Sequence, residues 1–83
     1  METNKILEER LEEEAEDVCK YYRLSKDAEE DGNKFLSEKL KMIAYDEFTH
    51  AHAFHSMLEK HGYRIRPDIV EKWEKAKHAF EKM

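Results

Sequence analysis

Two stretches of the chain place residues on helical stripes by alternating steps of four and three. Leu7, Leu11, Glu14, Val18, Tyr21, Ser25 and Ala28 form the first stripe, and Leu36, Leu40, Ile43, Glu47, His50, Phe54 and Met57 the second. Steps of this kind mark amphipathic helices with one face turned to a neighbour. Thr3 and Asn4 are suitable N-caps for the first helix, and nothing breaks it before Asp31. Gly32 reads as a left-handed terminator and Asn33 as the cap of the next helix, which runs to His61 because Gly62 is the next terminator. Helices joined so briefly run antiparallel. Beyond the link from Tyr63 to Arg66, Pro67 suits the first turn of a third helix, with Asp68 near its positive end. Its own stripe is Ile69, Trp73, Ala76, Phe80 and Met83, so it should dock on the hairpin or on a partner chain. The pattern predicts an all-α fold in one domain over 1–83, an antiparallel hairpin plus a C-terminal helix, with helices at about 4–31, 34–61 and 68–82.

Three members of these stripes are polar where the pattern asks for apolar residues: Glu14, Glu47 and His50. Glu14 lies 18 residues before Gly32, while Glu47 and His50 lie 15 and 18 after it. At about 1.5 Å per residue, all three sit roughly 22–27 Å from the turn, at one height on opposing helices. An ionised carboxylate on a buried stripe is costly unless paired or bound to a cation. One account is a hydrogen-bonded cluster that sets helix register, as polar residues do in coiled coils. A second is that the stripe faces solvent at this level. The third is a metal site, since a carboxylate and an imidazole three apart on a helix can reach the same ion. The Glu47-x-x-His50 spacing alone is weak, because 15 Glu and 5 His in 83 residues give roughly one such pair by chance. Glu14 at the same height is what strengthens it. One chain supplies three ligands, and a second copy packed face to face supplies the same three again. Four carboxylates and two imidazoles in a four-helix core are the ligand set of di-iron and di-manganese carboxylate proteins.

Composition narrows the field. A chain of 83 residues has a thin core, to which oligomerisation or a bound metal adds stability. Charged residues at 42%, with two Gly and one Pro, fit long solvated helices, and nine aromatics argue against disorder. The formal charge of −5, with Lys and Arg scattered, gives no basic footprint for nucleic acid and no attraction to an anionic membrane. Cys19 stands alone, which excludes an intrachain disulfide and a four-cysteine metal site in cis. There is no membrane-spanning apolar run, and Met-Glu-Thr-Asn does not begin a signal peptide, so a cytoplasmic location is expected. Asp17 is an alternate ligand or a solvated helix residue. His52, His55, His61 and His78 lie off the Glu47/His50 stripe and read as surface or packing residues, Cys19 as a small buried hydrophobe, and Tyr22, Tyr45 and Trp73 as packing.

Residues 14–61 resemble one half of a rubrerythrin or ferritin-like di-iron bundle. The resemblance rests on Glu14, Tyr21-Tyr22, Ala28-Glu29-Glu30-Asp31-Gly32 and Ile43-Ala44-x-x-Glu47-x-x-His50-Ala51, with 33 residues from Glu14 to Glu47. It implies that Glu14, Glu47 and His50 are iron ligands, with Glu47 bridging, and that Tyr21 matches the tyrosine the family places behind its ligands. Rubrerythrins carry two such helix pairs and usually a four-cysteine rubredoxin domain, whereas this chain has one pair and one Cys. It looks more like the short members, among them the encapsulated ferritins, that complete the site across a two-fold interface. Lys77 to Met83 reads as helix and not as the cargo tail those ferritins use, so encapsulation is not expected. The resemblance implies a homodimer, or an assembly of dimers, forming a four-helix bundle with two Fe per dimer and with ferroxidase or rubrerythrin-like peroxidase activity toward Fe(II) and oxygen or peroxide. Mn and Zn also suit the donors. The rivals are a non-catalytic helical dimerisation module and a metal-stapled structural dimer.

Overall fold

The computed structural model describes residues 2–83 and consists of three α-helices, α1 (Glu2–Glu30), α2 (Lys34–Lys60) and α3 (Pro67–Glu81). Together they form a rod of 47 × 18 × 17 Å. No helix among the described residues is long and apolar enough to cross a membrane.

Both glycine terminators act as their positions suggest. At Gly32, φ is +77°, a left-handed conformation that strains residues with a Cβ. Its N–H donates to Glu29 O at 3.0 Å and the Asn33 N–H to Ala28 O at 2.9 Å, which satisfies two carbonyls left open at the end of α1. Asn33 Oδ1 then accepts the Leu36 N–H at 3.0 Å and starts α2. Gly62 repeats the device after α2, and α3 begins at Pro67, where a missing N–H costs nothing. The start of α1 differs from expectation: the helix already includes Glu2, so Thr3 and Asn4 do not cap it. Asn4 Oδ1 instead accepts from His61 Nδ1 at 3.0 Å, tying the beginning of α1 to the end of α2.

The seam of the hairpin also departs from the expected stripe. The buried line of α2 is Ser37, Ala44, Ala51 and Leu58, seven residues apart, while Leu36, Ile43 and Met57 are exposed and Leu40 and Phe54 half-buried. The physical reason is steric. Small side chains let α2 pack closely on its neighbours, and the bulkier members of the stripe would hold the helices apart. From α1 the buried residues are Glu8, Leu11, Glu14, Ala15, Val18, Ser25 and Ala28.

α3 docks on its own hairpin, running parallel to α1, and buries Ile69, Trp73, Ala76 and Ala79, with Phe80 and Met83 half-buried. Trp73 stacks on Phe48 and His55 at 5.3 and 5.0 Å, and Phe48 stacks on Phe80 at 4.0 Å. Two polar anchors fix its position. Lys72 bonds Glu12 and lies 2.8 Å from Glu16, pairings that hold its ammonium firmly charged. Glu8, which lies off the predicted stripe, is only 3% exposed and accepts the Tyr63 hydroxyl at 3.1 Å and the Arg66 N–H at 2.8 Å. Removing this carboxylate strands a phenol and a backbone donor. Glu8→Ala should therefore lower the unfolding free energy by about 2 kcal/mol, measured by urea denaturation followed through Trp73 fluorescence.

Candidate metal centre

α1 and α2 bring Glu14, Glu47 and His50 together as their common distance from Gly32 requires. Each offers one donor atom, and the three atoms lie within 4.8 Å of one another. The cluster is graded in burial. The Glu14 side chain is 5% exposed and that of His50 57%, with Glu47 half-buried between these extremes. The expectation that all three sit on a buried stripe therefore holds for Glu14 alone, because the seam lies on the Ala44/Ala51 flank of α2 and leaves the opposite edge open.

Glu14 is fully engaged. His50 Nδ1 lies 2.6 Å from its Oε2, and the Arg10 guanidinium 3.6 Å from its Oε1. Glu47 is crowded by other acids. Its hydrogen bond to the Glu14 carboxylate, together with burial and the like charge of Glu14, pushes the Glu47 carboxyl above the ordinary range, against opposing contributions from Asp17 and His50. Asp17 is likewise pushed up, first by burial and then by its bond to Glu47. The structure thus places Asp17 against the cluster as a third acidic group, half-buried.

Crowded carboxylates next to an imidazole that opens to one side fit a divalent cation, which would turn mutual repulsion into shared attraction. Oxygen and imidazole donors suit Fe(II), Mn(II) and Zn(II) alike. Tyr21 is half-buried with the Lys20 ammonium 5.6 Å from its ring centre, and among the described residues no hydrogen bond joins its hydroxyl to the three donors. The other four histidines lie elsewhere: His52 is tilted against Phe48 and Trp73, His55 stacks on Trp73, His61 bonds Asn4, and His78 is exposed beside Glu81. Cys19 is half-buried in a groove between α1 and α3, and burial pushes its thiol up.

A helical hairpin that sets a glutamate on one helix against a Glu-x-x-His on the other defines a class of metal-binding ferritin-like domains. The family model for rubrerythrin matches residues 5–83, and the chain belongs to the rubrerythrin family. The match extends well beyond residues 14–61 and takes in α3. No curated protein and no solved structure matches the chain.

The raised carboxyls give the metal-free protein a pH dependence. A carboxyl whose pKa is higher folded than unfolded stabilises the fold while protonated, and that stabilisation is lost as pH rises from the ordinary carboxylate range through the raised value. The metal-free chain should thus lose stability on this account as pH rises through the titration of Glu47. Glu47→Gln, which keeps a neutral hydrogen-bonding group, should melt above the wild type at neutral pH and show a flatter profile. Melting curves of chelator-treated protein across the acid-to-neutral range check this.

Proposed function

We propose that this chain is one half of a di-iron centre and that two copies, packed through the open face of the α1/α2 hairpin, complete it. The observation that carries the proposal is the company the donor trio keeps. Glu14, Glu47 and His50 share the side of the hairpin on which α2 leaves Leu36, Ile43 and Met57 exposed, and α3 packs on the other flank through Phe48 and Trp73. Exposed apolar side chains around polar donors suit a partner surface. A two-fold axis through this face makes it self-complementary and doubles the ligand set to four carboxylates and two imidazoles.

In this role Glu14 and Glu47 would supply anionic oxygens and His50 a ring nitrogen. The apolar residues around them exclude water and strengthen each charged interaction. Tyr21 stands one heptad from Glu14 and is the nearest match to the family's tyrosine. Iron bound here supplies the oxidation of Fe(II) by oxygen or peroxide, so the activity we propose is ferroxidase or peroxidase-like. A cytoplasmic location accords with the lone Cys19.

One observation favours a second reading. Both Glu14 oxygens already have partners without a metal, which is what a polar device for setting helix register in a structural dimer requires. Metal content measured together with solution mass separates the two. One iron per chain in a dimer is expected, and a metal-free monomer or dimer would refute the di-iron reading. Glu14→Ala should abolish stoichiometric iron binding while circular dichroism retains the helical signal. Two irons per dimer remaining in that variant would remove Glu14 from the site.

A further inference from the structure

We infer that Arg10 is a counter-ion built into the metal centre, a guanidinium that occupies Glu14 in the metal-free chain and that an incoming divalent cation must displace. This rests on the metal-binding reading of Glu14, Glu47 and His50.

Arg10 lies one helical turn before Glu14 on α1. Its Nη2 is 3.6 Å from Glu14 Oε1, on the carboxylate oxygen that His50 leaves free. The same guanidinium donates through Nη1 to Glu13 Oε1 at 3.2 Å and lies 5.8 Å from the centre of the Phe54 ring. Phe54 stands one turn beyond His50 on α2, so Arg10 bridges the two helices at the edge of the donor trio.

The arrangement answers a charge problem. Glu14, Asp17 and Glu47 gather three carboxyl groups, and of these Glu14 is nearly removed from water. A carboxylate in that position needs positive or hydrogen-bonding partners before any metal arrives. His50 provides one and can itself become a ligand by turning its nitrogen to the ion. Arg10 provides the other but cannot become a ligand, since a guanidinium keeps its charge and has no lone pair to offer a metal. It can only leave. Its side chain is 45% exposed, and Glu13 and Phe54 give it a place to rest within a short swing.

Two consequences follow for selectivity. A monovalent cation gains too little from Glu14 to replace an ion-paired guanidinium, whereas a divalent ion that also engages Glu47 and His50 gains enough. After displacement Arg10 stays near, and its charge continues to weigh against binding. Arg10 therefore lowers metal affinity while it stabilises the metal-free fold, and these opposite effects distinguish it from a surface ion pair.

The test uses the full chain, stripped with chelator and titrated calorimetrically with Mn(II), which does not oxidise under air at neutral pH. Arg10→Met keeps the length and the contact with Phe54 but removes the charge. It should bind Mn(II) about tenfold more tightly, as expected for removing one charge at this range from a partly shielded site. The metal-free variant should melt about 5 °C lower. Arg10→Lys, which restores the charge without the planar fork, should bring the Mn(II) affinity back to within about threefold of the wild type. Should Arg10→Met lose its helical signal, Arg10→Gln carries the same expectation. A neutral variant that folds and binds Mn(II) no more tightly than the wild type overturns the inference and leaves the metal centre standing. A wild-type chain that binds no Mn(II) and no Co(II) removes the metal-centre reading, and the inference falls with it.

Discussion

A carboxylate almost wholly withdrawn from water is the constraint on which the hairpin depends. Glu14 sits among Leu11, Ala15 and Val18 on the buried side of α1, and it is kept there by a short contact to His50 from α2. Apolar side chains alone would tolerate some sliding of one helix along the other, because contacts between small residues change little with a small shift. A contact at 2.6 Å does not tolerate it. The alanines set how near the helices stand, and the Glu14–His50 contact sets which turn faces which.

The three helices divide the surface of the hairpin between two tasks. α3 covers one flank with aromatic stacking through Trp73, Phe48 and Phe80, and its start is pinned by Glu8. That covering provides much of the core in a chain too short to build one from two helices. The opposite side keeps its large apolar residues in solvent beside the half-buried Glu47 and the exposed His50. Aromatic core packing and the donor trio thus lie on different faces of the same two helices, and substitutions on the α3 side should leave the donors in place.

Much of this was legible from spacing. Gly32, Asn33, Gly62 and Pro67 mark helix boundaries through backbone requirements that are local to each residue, so the three helices emerge within a few residues of expectation. The convergence of Glu14 with Glu47 and His50 was legible too, since rise per residue and a tight turn fix height. What periodicity could not tell was which of two adjacent lines on α2 becomes the seam. Leu36-Leu40-Ile43 has the greater apolar area, but Ser37-Ala44-Ala51-Leu58 allows the closer approach, and shape prevailed over hydrophobicity. Glu8 escaped for a related reason. A single acid among many is indistinguishable by type, and its burial follows from the link between α2 and α3 returning to meet it. The signal was its place seven residues before Ala15 on the line that faces α3. Asp17 was legible as an alternate ligand or a solvated residue, and the facing position of Glu47 is what sets it against the cluster.

The three-residue turn at Gly32 has a consequence for how the protein comes to be folded. Glu14 and His50 are separated by 36 positions, and every contact among the donors lies inside one continuous hairpin with no chain from elsewhere threaded between them. Closing such a loop is entropically cheap, and topologies rich in short-range contacts reach their folded state quickly. All three donors lie within residues 14–50. They can therefore meet by a single local closure, while α3, packing on the other flank, supplies the core that holds that geometry in place.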